Sequence, residues 1–226
     1  MCFSATSSFI AGVALTATGF LCIAKVKQRE QFLFAAIPLL FAIQQFIEGL
    51  LWLFINDTPN YSILKRNLAI LFLFIAESVW PIWIPLSLML LEKNRERQFL
   101  LLFFLFIGEI VAVYLAFGIA TYNVGVDVVM HHIVYFQHDK PASNFLIKAP
   151  YLIATIIPFF ISSVKYMKLI GLSIITTYLL ARLFFFDQFF LSLWCFLAAI
   201  VSLLTYIVMH TIKMEYLCKN NDSKTI

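Results

Sequence analysis

Long apolar stretches alternate with short polar breaks along almost the whole chain. A helix needs roughly 20 apolar residues to cross a hydrocarbon core of about 30 Å, and stretches of about that length recur throughout. The pattern predicts an all-α integral membrane protein, a seven-transmembrane helix bundle, whose sixth span is diluted by Thr176, Thr177 and Arg182. The predicted spans are about 7–24, 31–55, 67–91, 98–120, 145–163, 167–186 and 189–212.

The composition excludes a soluble globular domain as the origin of this pattern. The chain of 226 residues is 62% hydrophobic and 12% charged, and a soluble domain of this length needs far more charge to form a solvated surface. We therefore expect one transmembrane domain, residues 1–212, followed by a cytoplasmic tail, residues 213–226. The partner of the apolar surface is then the lipid bilayer.

Basic residues predict the orientation of the spans, because cytoplasmic loops carry an excess of lysine and arginine. The loops after spans one, three and five, with the tail, hold eleven of the 16 basic residues, which leaves five for the opposite side. This places the N-terminus outside and the C-terminus in the cytoplasm. The net charge of +4 reflects this asymmetry, and its scattered residues do not form a nucleic-acid-binding stripe, so no nucleic-acid partner is expected. The eleven residues are Lys25, Lys27, Arg29, Lys93, Arg95, Arg97, Lys165, Lys168, Lys213, Lys219 and Lys224.

The connection between spans four and five, residues 121–144, is the one sizeable outer loop that the pattern predicts. Its centre, residues 124–136, is too apolar to lie free in solvent. We expect it to pack over the mouth of the bundle as a short helix or a hairpin.

Three glutamates, Glu48, Glu77 and Glu109, lie within predicted spans. A charged carboxyl near the centre of a bilayer costs a few kcal/mol even on lenient insertion scales. Each of the three is therefore expected to face the bundle interior, to be neutral or to have a partner.

A polar stripe is predicted in the outer half of span two, in the sequence "QQFIEGLLW". Gln44, Glu48 and Trp52 are spaced four residues apart, which places them on one helical face, and Gln45 lies beside that face. Two interpretations stay open at this point. The stripe makes hydrogen bonds between helices that fix the bundle, or it lines a pocket for a ligand or an ion.

Prolines interrupt span three in the sequence "ESVWPIWIP". In a regular α-helix, Pro81 would leave the carbonyl of Glu77 without its backbone donor. The resulting kink either packs against neighbouring helices or presents a free carbonyl beside a carboxyl group.

Cysteine and histidine residues on the outer side raise the question of a metal site. Cys2, Cys195, His131 and His132 are predicted on that side, and with Glu48 they offer nitrogen, oxygen and sulfur ligands suited to a zinc or copper ion. The sequence contains no compact metal-binding motif. A disulfide between the two cysteines, or two unlinked buried thiols, are the alternatives.

Four stretches of the sequence resemble a single family: "MCFSAT", "PLLFAIQQFIEGLLW", "VWPIWIPLSLMLLE" and "SLWCFLAA". The chain resembles an uncharacterised group of bacterial multi-pass membrane proteins that begin Met-Cys-Phe-Ser-Ala and are known as a domain of unknown function. The resemblance covers nearly the whole chain. It implies a multi-pass protein of the bacterial inner membrane and supplies no activity.

The resemblance also implies which positions matter, and most of them fall in the outer half of the predicted bundle. The chain departs from the family pattern at Gln44, where the family has a histidine, and an amide is a poorer metal ligand than an imidazole. The matching positions are Cys2, Ser4, Gln45, Glu48, Trp80, Pro81, His132, Tyr135, Trp194 and Cys195.

The leading functional hypothesis is a polar intramembrane pocket in the outer half of the bundle that binds a small ligand or a metal ion. A membrane-embedded, metal-dependent hydrolase and a proton- or cation-coupled transporter are the alternatives. The ligand-binding candidates are Gln44, Gln45, Glu48, Glu77, Trp80 and Tyr135, and the metal-binding candidates are Cys2, Glu48, His131, His132 and Cys195.

Overall fold

The structure is a computed structural model that describes residues 4–55, 62–129, 132–138, 145–184 and 190–222. These residues are mostly helical, with one β-hairpin. The helices are α1 Ala5–Ile23, α2 Phe32–Ala35, α3 Ile37–Phe54, α4 Ser62–Leu73, α5 Trp80–Leu91, α6 Arg95–Thr121, α7 Phe145–Ile161, α8 Met167–Phe184, α9 Phe190–Ser202 and α10 Leu204–Asp222, and the strands are β1 Asn123–Val129 and β2 His132–His138.

Within the described ranges, five helical stretches are long and apolar enough to cross a membrane, judged by length and composition. They coincide with predicted spans one, two, three, four and seven. The apolar helix at the fifth span, Ile147–Ile161, is shorter, and α8 lies at the sixth. The five stretches are Ala5–Ile23, Arg29–Phe54, Ser62–Leu91, Arg95–Thr121 and Trp194–Cys218.

Spans two and three are less regular than the hydrophobic pattern predicts. Span two begins with a 3-10 turn, Arg29–Gln31. The helix that follows is interrupted at Ala36, between α2 and α3, and α3 carries a proline in its first turn. In span three a π-helical segment, Phe74–Val79, separates α4 from α5. At the other end of the chain, α10 continues past the predicted end of span seven because its sequence contains no glycine or proline to stop it.

A short helix or a hairpin was predicted between spans four and five, and the structure has the hairpin, so the fold is mostly helical rather than all-α. Strands β1 and β2 pair antiparallel, from Asn123 opposite His138 to Val129 opposite His132. The hairpin packs against α4, α6 and α9. Its residue Ile133 is 1% exposed and belongs to the main apolar core.

The backbone of α5 packs directly against α6 at Gly108. A Cβ atom at this position would overlap the carbonyl oxygen of Pro81, so only glycine permits this backbone contact. The contact fixes the position of α5, which carries part of the site described next.

Candidate functional site

Gln44 of α3 connects three helices through its side-chain amide. The indole N–H of Trp80, on α5, donates to Gln44 Oε1 at 3.0 Å, and Gln44 Nε2 donates to Cys195 Sγ, on α9, at 3.9 Å. The Trp80 ring also stacks on Phe41, with the ring centroids 4.2 Å apart. Gln44 has no exposed surface, and burying an amide without partners would cost several kcal/mol, about 2–7. These bonds therefore both satisfy the amide and fix the relative positions of the three helices.

Gln45 and Glu48 form a second buried pair on α3. Gln45 Nε2 donates to Glu48 Oε2 at 3.5 Å, and neither side chain has exposed surface. Among the described residues, Gln45 Oε1 has no hydrogen-bond partner. A fully buried acceptor without a donor is rare in native proteins, and this one marks a position where a donor would be stabilised.

The carboxyl groups of Glu48 and Glu77 both lie within electrostatic interaction range of the Cys195 thiol, so these three groups lie near one another. Glu77 is half-buried and lies in the π-helical segment. The stripe predicted on span two thus forms part of a buried polar cluster with groups from α5, α9 and the π-helix. We call Gln44, Gln45, Glu48, Trp80 and Cys195 the polar cluster.

Tyr151 of α7 completes the backbone hydrogen bonding of the π-helix. In the π register the carbonyl of Ala76 would accept from the N–H of residue 81, which proline lacks. The Tyr151 hydroxyl donates to this carbonyl instead, at 2.6 Å. The sequence-based expectation placed the carbonyl without a donor at Glu77. The π-helix corrects this, because its wider turn moves the missing bond to the preceding residue.

An apolar cavity of about 60 Å³ begins beside the polar cluster and extends between α2, α3, α5, α7, α8, α9 and α10. Trp80 and Cys195 line its polar end together with Tyr151. Ligand sites in proteins are mostly apolar, with a few well-placed polar groups. The remaining lining residues are Phe34, Ile37, Phe41, Ile84, Thr155, Phe159, Ile170, Ile174, Trp194, Ala198, Val201, Ser202 and Thr205.

The hairpin holds two of the predicted site residues. Tyr135 stacks face to face on Phe72 of α4, with the ring centroids 4.5 Å apart, and His132 is 8% exposed at the start of β2. Neither residue lines the apolar cavity. The stacking of Tyr135 on Phe72 attaches the hairpin to α4.

The metal-binding candidates are only partly described. Cys2 and His131 lie outside the described residues, and Cys195 carries a free thiol. Among the residues that are described, no three His, Cys, Asp or Glu side chains are grouped as a metal site would require. Glu48, His132 and Cys195 therefore do not form such a group by themselves.

Glu109 lies apart from the other glutamates of the spans. It is exposed on α6 beside Phe106, Ile110 and Val113, all of which are also exposed. The structure therefore brings Glu48 and Glu77 together near Cys195 and leaves Glu109 on an outer helical face.

Glu92, at the C-terminal end of α5, is a buried carboxyl that sequence analysis missed. It accepts hydrogen bonds from the N–H and hydroxyl of Ser163, both at 2.7 Å, and from the N–H groups of Lys93 and Asn94. Burial alone would raise the pKa of Glu92, but these hydrogen bonds outweigh it and hold the pKa below its ordinary value. The carboxylate thereby ties the α5–α6 turn to the α7–α8 turn.

The comparisons with known proteins identify the family of the chain, but the function of that family is unknown. The family described as "Family of unknown function (DUF6629)" matches residues 1–218, which confirms the resemblance to a family of unknown function. No curated protein and no solved structure matches the chain.

Proposed function

We propose a function from geometry, on the premise that the chain belongs to the DUF6629 family, which is a family of unknown function. The proposal is a membrane protein that binds one small, elongated and mainly apolar molecule in the cavity between its helices. The polar end of that molecule lies against the polar cluster. The observation that carries the proposal is the apolar cavity whose polar end is lined by Trp80, Tyr151 and Cys195, next to the buried amide of Gln44.

The chemistry of the cavity defines the class of ligand. Its lining is dominated by phenylalanine, isoleucine and tryptophan side chains, which favour an apolar body. The hydroxyl oxygen of Tyr151 and the sulfur of Cys195 line the cavity and can accept hydrogen bonds, so they favour a hydrogen-bond donor at the polar end. A hydroxyl or amide group on an apolar chain or ring system meets both requirements.

For the membrane topology, we propose that α7 and α8 complete a seven-span bundle with the N-terminus outside and the C-terminus in the cytoplasm of a bacterial inner membrane. Five apolar helical stretches of membrane length and the distribution of basic residues support this. Alkaline phosphatase fused after residue 138 is expected to be active, and fused after residue 93 it is expected to be inactive. The reverse result would contradict the orientation.

The ligand is tested by purifying the protein in a mild detergent and analysing an organic extract by mass spectrometry. We expect one molecule to copurify with the wild-type protein in a constant molar ratio. We expect it to be absent from the Ala198→Trp variant, because Ala198 lines the cavity and the indole would fill it. Ala17→Trp is the matched control, since Ala17 is exposed on α1, far along the sequence from any cavity residue. Equal retention by both variants would contradict binding in the cavity.

The hydrolase and transporter hypotheses stay predictions. A transporter that uses all three glutamates would need Glu109 as well as Glu48 and Glu77, and Glu109 is exposed on α6. No contact in the described part of the chain favours either hypothesis over ligand binding.

A further inference from the structure

A second cavity lies at the end of the helices where the turn between α7 and α8 meets the start of α6. It has a volume of about 380 Å³, is open to solvent and is lined by Arg97, Lys165, Lys168, Tyr166 and residues 162–164. Three of these residues are cations, and none of the described lining residues is an anion. Three cations around one cavity repel one another, so an anion placed between them would be stabilised.

Two of these cations contact the backbone or an aromatic ring. Arg97 Nη1 donates to the carbonyl of Ile161 at 3.1 Å, which uses one of the five N–H donors of the guanidinium. The Lys165 ammonium lies 5.1 Å from the centroid of the Tyr166 ring. Arg97 and Lys165 therefore have defined contacts, whereas Lys168 is exposed at the start of α8.

The turn itself is held in an unusual conformation. Tyr166 adopts a φ of 66°, in the left-handed region, and α8 begins at the next residue. The bonds from Ser163 to Glu92 hold the other end of the turn. The turn leads directly into the N-terminal, positive end of the α8 dipole, where Lys168 is the second residue of the helix.

We propose that this cavity binds a phosphate group, carried either by an anionic phospholipid or by a soluble phosphate. The planar guanidinium of Arg97 and the two lysine ammonium groups suit the tetrahedral oxygens of phosphate. Basic pockets at the cytoplasmic ends of membrane helices are a common type of site for phospholipid headgroups. Leu169 and Leu172 of α8 are 48% and 57% exposed within the first two turns beyond the cavity, where they would contact acyl chains.

The experiment measures binding to the full chain, purified in an uncharged detergent, by thermal shift and by titration at constant ionic strength. Three probes are compared: inorganic phosphate, short-chain phosphatidic acid, and the matching diacylglycerol, which lacks phosphate. We expect the phosphate-bearing lipid, but not the diacylglycerol, to raise the Tm. A shift with inorganic phosphate as well would show that the phosphate group suffices, and a shift with the lipid alone would identify the headgroup as the ligand.

The variant Lys165→Gln/Lys168→Gln is expected to weaken phosphatidic acid binding by roughly thirtyfold, since each lysine near an anionic lipid surface contributes about 1 kcal/mol and 1.4 kcal/mol is a factor of ten. Its Tm without a probe is expected to stay unchanged because both side chains are exposed. The control Lys27→Gln/Lys213→Gln removes the same charge outside the cavity and is expected to bind like the wild type. No response to either phosphate probe, or equal weakening in both double variants, would overturn the proposal.

Discussion

Glu92→Gln is expected to destabilise the protein near neutral pH. Glutamine keeps one oxygen, which can still serve the N–H groups of Lys93 and Asn94, while its NH₂ group faces the N–H of Ser163 and cannot accept from it. A hydrogen bond to a charged group contributes about 1.5–3 kcal/mol and a neutral one about 0.5–1.5 kcal/mol. Losing one bond and weakening the others gives a loss of about 2–4 kcal/mol in the free energy of unfolding.

The same substitution is expected to change how stability depends on pH. The pKa of Glu92 is lower in the folded protein than in the unfolded chain, because hydrogen bonds to the carboxylate outweigh the effect of burial. The contribution of Glu92 to the free energy of unfolding is therefore fully present when the pH is above the pKa of the unfolded chain, about 4.3. This contribution is lost as the pH falls through the folded pKa. The difference between wild type and variant is expected to be largest near neutral pH and to shrink in acid.

The assay is chemical or thermal unfolding in an uncharged detergent at a series of pH values between neutral and about 3, the range in which carboxyl groups titrate. The control is Glu96→Gln, which makes the same chemical change at an exposed position in the first turn of α6. Its effect is expected to stay within about 0.5 kcal/mol. If the wild type and Glu92→Gln gave parallel curves over the whole range, the described role of the Glu92 carboxylate would be wrong.

Three further substitutions test other contacts, each by its effect on unfolding in detergent or on hydrogen exchange. Gly108→Ala is expected to destabilise by about 1–3 kcal/mol, because its Cβ overlaps the backbone carbonyl of Pro81 and neither backbone can move freely; a neutral result would contradict this helix contact. Tyr151→Phe is expected to cost about 1–2 kcal/mol by leaving the Ala76 carbonyl unpaired. The cost should shrink in a Pro81→Ala background, which restores an N–H donor, and an unchanged cost would refute the explanation of the π-helix. Phe72→Ala removes the ring on which the hairpin stacks, so amides of β1 and β2 are expected to exchange faster while those of α6 do not.

The coarse fold could be predicted from the sequence because it depends on local signals. Apolar stretches of membrane length located the long helices, and a loop too apolar for solvent indicated a packed hairpin or helix. The expectation that buried polar groups face the interior also located Gln44, Gln45 and Glu48 correctly, since all three have no exposed surface. Glu109 is the exception, because the sequence does not show which face of α6 is covered.

The remaining features depend on contacts between residues far apart in the sequence. The π-helix is completed by a tyrosine 75 residues away, and the buried Glu92 is held by a serine 71 residues away. A proline pattern alone predicts a kink and does not fix which carbonyl loses its donor. The apolar cavity was not predicted either, because it is formed by seven helices whose packing the hydrophobic pattern does not specify.

A high-resolution density map of the protein purified in mild detergent tests the binding proposal most directly. The account predicts continuous, elongated density in the cavity from Phe159 toward Cys195, with its polar end beside Trp80 and Gln44. A cavity closed by its own side chains, or one that contains only separate water peaks, would contradict the proposal.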